Sequence, residues 1–196
     1  MVMDWLTPLT GLVGVVAGAA TSYASTHQAQ KQQLADARLA REEAERAAVA
    51  AANAQALTAL LGHIRKAPPD SSLLDVPSGD SEELAAREED WWKDLLEYIE
   101  PAQVAALEVR DVEVRTLIVE GLTLIHDSRY YNLGVYRRSR EWLLMGTVHH
   151  LIACVFAWRR DDSTMPEPNG RYKRLKEAWE YEEEVRRIEA EERESA

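Results

Sequence analysis

The order of apolar and polar positions divides the chain into helical stretches of different character. Residues 5–23, WLTPLTGLVGVVAGAATSY, run for nineteen positions without a charge. As a helix rising about 1.5 Å per residue, such a run reaches about 28 Å, close to the hydrocarbon thickness of a bilayer. Trp5 and Tyr23 stand at its two ends, where amphipathic rings favour the headgroup region. Pro8 falls in the first turn, where a missing N–H costs little. The pattern predicts a transmembrane helix, though a weakly apolar one: three Leu and three Val contribute about −2 to −3 kcal/mol on an insertion scale. A seam of small residues compensates. Thr7, Gly11, Gly14, Gly18, Thr21 and Ser25 recur at spacings of four and three, and Gly14 to Gly18 is a GxxxG. Seams of this kind let helix backbones approach closely, so Gly11, Gly14 and Gly18 are the candidate helix–helix association residues.

Two other readings of this stretch stay open. A cleaved signal peptide normally has a basic start, whereas this chain begins MVMD; Ser22-Tyr23-Ala24 does resemble a cleavage site. A buried helix of a soluble protein is the other, although nineteen uncharged residues is long for one. As a retained anchor, the span has no Lys or Arg before it and Lys31, Arg38 and Arg41 after it. The positive-inside bias then predicts a single-pass cell-membrane protein with its N-terminus outside and its C-terminal body in the cytoplasm.

From 27 to 66 the chain has no proline and only Gly62, and it is rich in Ala, Gln, Glu, Arg and Leu. Arg38–Glu42, Arg41–Glu45 and Glu42–Arg46 are i,i+4 pairs of opposite charge. This is a juxtamembrane helix, either a solvated spacer or an alanine-rich coiled coil. Its end differs, because Leu57, Leu60, Leu61 and Ile64 form an apolar stripe suited to docking on the helical body. Ala67-Pro68-Pro69 stops the helix, and the Pro-, Ser- and Asp-rich stretch to Asp80 reads as a linker.

Asp80 with Glu83 has capping-box spacing and opens a predicted helix over 81–99, with Leu84, Trp91, Trp92, Leu95, Leu96 and Ile99 on one face. Glu100-Pro101 reads as a break. A second helix is predicted over 102–126 from Val104, Leu107, Val114, Leu117, Ile118, Leu122 and Ile125. The alternation of Val109, Val112 and Val114 leaves a strand there as the alternative. Residues 142–158 contain no Lys, Arg, Asp or Glu and lie between Arg137, Arg138 and Arg140 on one side and Arg159 and Arg160 on the other. Adjacent His149 and His150 favour a central core helix over a second span. After a loop, residues 171–196 form a charged helix that docks through Leu175 and Trp179.

The predicted fold is therefore all-α: an N-terminal transmembrane helix continues into a long charged helix, followed by a small helical bundle and a charged C-terminal helix. The divisions are 1–26 (membrane anchor), 27–66 (juxtamembrane helix), 67–80 (linker), 81–160 (helical body), 161–170 (loop) and 171–196 (C-terminal helix).

Composition narrows the function more than it names one. Asp and Glu outnumber Lys and Arg by 34 to 23, a formal net charge of −11, which argues against binding nucleic acid. One cysteine, Cys154, excludes an intramolecular disulfide and a multi-cysteine metal site. Arginine far outnumbers lysine, as in GC-rich bacterial genomes. His150 and Cys154 at i,i+4 share a helix face, but a structural zinc needs four ligands and only His126 offers itself as a third. A buried imidazole beside an apolar thiol explains the pair better. His126 and Asp127 with Tyr130 and Tyr131 more simply close a turn than form an acid–base cleft. Glu88, Glu89 and Asp90 read as a solvated face rather than a carboxylate pair. Arg137, Arg138 and Arg140 could meet anionic lipid, but pairing with the surplus acids is the simpler use. No phosphate-binding loop, dinucleotide fingerprint, nucleophile elbow or HExxH is present. The sequence thus predicts a non-enzymatic, membrane-tethered interaction or scaffold module with no cofactor and no metal. Its partners are a protein, the bilayer or a second copy in a homo-oligomer. The alternatives are a small pore- or lesion-forming effector assembled through the glycine seam, and an enzyme using His126, His149 or His150.

Overall fold

A computed structural model describes residues 6–68, 78–131, 133 and 140–195, with side chains over 27–68, 82–131, 133 and 140–194. Its elements are α1 (Leu6–Ile64), α2 (Ser78–Leu107), α3 (Val112–Asp127), α4 (Arg140–Arg159) and α5 (Gly170–Ser195), with a short 3-10 turn, Ser128–Tyr130, after α3. No strand occurs among the described residues, which settles the 109–114 ambiguity in favour of a helix and its cap.

The chain divides into two compact units, Met1–Glu45 and Arg46–Ala196. In the first, the backbone is helical from Leu6 onward, and every side chain from His27 to Glu45 is exposed, Leu34 and Leu39 included. The side chains of the charge-free run, and with them the Gly11, Gly14 and Gly18 seam, lie outside the described residues.

The second unit is built around α3, which packs on α2, α4 and α5, while α4 packs on α3 and α5. Residues 46–64 of α1 belong to this unit. Leu57, Leu60, Leu61 and Ile64 are buried in its core alongside Trp91, Ile99, Ile118 and Leu122. Two polar clasps hold α1 on α2. His63 Nε2 lies 3.1 Å from the Trp91 carbonyl, and the Trp91 indole N–H donates back to the His63 carbonyl at 3.3 Å. The imidazole is stacked against both Trp91 and Tyr98. Asn53, also buried, donates from Nδ2 to the carbonyls of Val49 (2.9 Å) and Ala105 (2.8 Å).

Local chemistry sets the helix ends. Asp111 caps α3 by accepting from the backbone N–H groups of Glu113 (3.0 Å) and Val114 (3.1 Å). Asn169 caps α5 in the same way, accepting from Arg171 (3.0 Å) and Tyr172 (2.9 Å), and its Nδ2 donates to the Gly146 carbonyl on α4 at 2.7 Å. Past the end of α4, Asp161 turns into the left-handed region (φ 61°). This lets Asp161 and Asp162 donate back to Trp158 and Ala157, both at 3.1 Å, the pattern of a Schellman cap.

The break expected at Glu100-Pro101 is not there. Helix α2 runs through Pro101 to Leu107, and the turn comes at residues 108–111. An interior proline costs about 3 kcal/mol through its lost hydrogen bond and ring clash. The buried face of α2 outweighs that cost, because the register of Trp92, Leu95 and Ile99 continues without slip through Ala102 and Ala106. Val104 and Leu107, expected on an apolar face, therefore point outward and are more than 60% exposed.

Among the residues whose side chains are described, two helical stretches are long and apolar enough to cross a membrane, one within His27–Ile64 and the other α4. Most of α4 is covered by protein: Leu143, Leu144, Val148, Leu151 and Val155 are fully buried. In this structure it occupies the place of a core helix.

Candidate functional site

The residues with catalytic or ligating chemistry fall into separate places. His150 and Cys154 lie side by side on the buried face of α4, with the Cys154 sulfur 3.8 Å from Nδ1 and 3.7 Å from Nε2. Near-equal distances to both nitrogens put the sulfur on the bisector of the ring, so it aligns with neither N–H. Tyr172 of α5 packs on the imidazole with ring centroids 4.9 Å apart. Burial governs the protonation of all three groups. It holds the His150 pKa below its ordinary value, raises the Cys154 thiol to about 11 and, with the nearby Glu120 carboxylate, raises Tyr172 to about 12. At neutral pH the set is an uncharged imidazole, a protonated thiol and a protonated phenol. A thiolate–imidazolium pair needs the opposite shifts, so this arrangement packs rather than activates.

His150 forms the floor of a cleft of about 610 Å³ between α3 and α5, walled by Val112, Leu117, Pro168 and Tyr172. Glu120 and Lys176 close one side with a 2.6 Å ion pair. The apolar pattern of α4 places His150 in a core and carries no signal for this cleft, whose walls come from segments more than fifty residues apart.

The other candidates disperse. His126 is exposed and pairs with the adjacent Asp127 at 2.6 Å, beside the turn that carries Tyr130 and Tyr131. Tyr131 is buried, and its hydroxyl is held protonated chiefly by that burial. His149, next in sequence to His150, faces solvent. Nowhere among the described residues do three His, Cys, Asp or Glu side chains gather closely enough to hold a metal ion.

Glu88 and Glu89 do not form a bare solvated face. Glu88 pairs with Arg140 at 2.5 Å, both side chains 17% exposed, and Glu89 pairs with Arg129 at 2.6 Å. Arg140 also lies over the Trp92 ring at 5.2 Å. These contacts tie α2 to the start of α4 and to the turn after α3, and they give Arg140 the structural use that the acid surplus favours. Arg137 and Arg138 lie outside the described residues.

Comparison with protein-family models, curated proteins and solved structures returns no match for this chain.

Proposed function

We propose that this chain is a non-enzymatic, membrane-tethered helical protein whose body acts as an interaction or scaffold module on the cytoplasmic side. The observation that carries this reading is the character of α1. A single 59-residue helix joins a charge-free run of bilayer length to a charged segment, residues 27–45, in which every side chain is exposed. A solvated segment of this kind suits a tether that holds the body away from the bilayer. The inert protonation states of His150, Cys154 and Tyr172 support a body that works by presenting surface. The side on which Lys31, Arg38 and Arg41 fall supports the N-out, C-in orientation.

Fractionation of native cells tests the tether. The full chain is expected in the membrane fraction, resistant to carbonate extraction, with its first residues intact. Recovery in the soluble fraction, or of a chain cleaved after Ala24, overturns the reading. Glycosylation acceptors placed at each end report orientation, and acceptance at the C-terminus reverses it.

The glycine seam favours a second reading, in which copies associate through Gly11, Gly14 and Gly18 into a pore or lesion. A membrane-potential dye separates the two. Induced expression collapses the potential under the pore reading and leaves it unchanged under the scaffold reading.

A further inference from the structure

At the corner where α5 begins, two arginines are gathered on one indole. Arg171 and Arg174 both lie over the indole of Trp142 on α4, with guanidinium carbons 4.4 and 5.7 Å from the ring centroid. Neither has an ion pair among the described residues, in a chain where acids exceed bases by eleven charges. Elsewhere in the same unit arginines do find carboxylates, as Arg46, Arg129, Arg140 and Arg187 show. The two guanidiniums, with Trp142, His149 and Asn169, line an open cleft of about 470 Å³ that has no Asp or Glu in its wall.

The corner is also built to hold them. Gly146 has no Cβ where the Arg171 stem crosses α4; a methyl there would meet Arg171 Cγ at 2.7 Å and its Cβ and Cδ closer still. Asn169 bonds Gly146 and the start of α5 together, so the backbone that carries Arg171 is fixed relative to Trp142. Stacking on an aromatic face restrains a guanidinium while leaving its N–H edge free to donate. Two forks held this way suit a tetrahedral oxyanion, and the positive end of the α5 dipole adds in the same sense.

We propose that this cleft is a binding site for a phosphate group, gripped by the Arg171 and Arg174 guanidiniums with His149 on the same wall. The phosphate is carried by a soluble monoester or by a lipid headgroup, since both present the same oxygens. A dianionic phosphate gains most from paired guanidiniums, while a chloride or a neutral ligand gains little.

The test uses the full chain in phosphatidylcholine nanodiscs titrated with inorganic phosphate at constant ionic strength, with chloride as reference. Saturable binding of phosphate over chloride is expected. Arg174→Ala removes an exposed side chain and leaves the fold in place; it is expected to weaken phosphate binding about tenfold, the loss of one charge-assisted contact. Arg171→Lys keeps the charge but not the fork and is expected to weaken it as well. Arg187→Ala, on the same helix but already paired with Glu184, is expected to leave binding unchanged. Repeating the titration in nanodiscs containing phosphatidic acid identifies the source. Loss of the phosphate response there marks a headgroup site, and an undiminished response marks a soluble ligand. Phosphate binding no stronger than chloride, or binding equally weakened by Arg187→Ala, overturns the proposal.

Discussion

Removing the chain up to residue 45 and removing it up to residue 67 should have opposite consequences for the body. Between 27 and 45 no side chain is buried, so a chain starting at Arg46 keeps every described core contact. A chain starting at Pro68 loses Leu57, Leu60, Leu61 and Ile64, whose exposures lie between 0 and 6%. Each fully buried aliphatic side chain is worth about 1.5–3 kcal/mol relative to exposure, so the four together contribute about 6–12 kcal/mol. The stack of His63 on Trp91 and Tyr98 and the Asn53 bonds to the end of α2 go with them. Total stabilities of single domains run at about 5–15 kcal/mol, so a loss of this size consumes most or all of it. Far-ultraviolet circular dichroism with urea titration, in detergent-free buffer, reads the outcome. The 46–196 chain is expected to unfold in one cooperative transition. The 68–196 chain is expected to show no native baseline at 25 °C and to bind a dye specific for exposed apolar surface. Cooperative melting of 68–196 at the same urea midpoint would refute the assignment of residues 46–64 to the core. Failure of 46–196 to fold would refute the unit boundary at Glu45.

Four further outcomes rest on single contacts. Gly146→Ala places a methyl against the Arg171 stem, whose Cβ is fixed by the α5 backbone, and should cost about 1–3 kcal/mol in chemical denaturation. Asn169→Ala removes the α5 cap and the bond to the Gly146 carbonyl together and should cost about 1–3 kcal/mol, more than an isolated cap. Asp161→Gly relieves a left-handed non-glycine residue and should raise the melting temperature, gaining up to about 1 kcal/mol; the exposed Arg46–Asp161 pair that it removes contributes little. Burial lowers the His150 pKa in the fold, so between the folded and unfolded values the unfolded chain binds the extra proton. His150 therefore contributes stability above the ordinary histidine range that is lost as pH falls, with a slope of at most about 1.4 kcal/mol per pH unit. The stability of the parent minus that of His150→Phe, measured from pH 7.5 to 5, should fall as pH falls. A rise in parent relative to variant as pH falls would contradict the burial of a neutral imidazole.

Apolar spacing alone was enough to identify this chain as helical. It marked Leu57, Leu60, Leu61 and Ile64 as a docking stripe, and it placed 142–158 as a helix with charged ends. It also paired His150 with Cys154, since i,i+4 neighbours share a face in any helix. Those features depend on contacts within a few residues, which a periodic pattern records directly. Tertiary packing decided where α2 ends, because only the buried continuation from Ile99 to Ala102 and Ala106 outweighs the Pro101 penalty. The same packing turned Val104 and Leu107 outward. It brought Trp142 beneath Arg171 and Arg174, residues about thirty apart in sequence, through a close α4–α5 approach that the bare backbone of Gly146 permits. Periodicity fixes which residues share a helix face, but which faces meet depends on a packing that only the folded chain expresses.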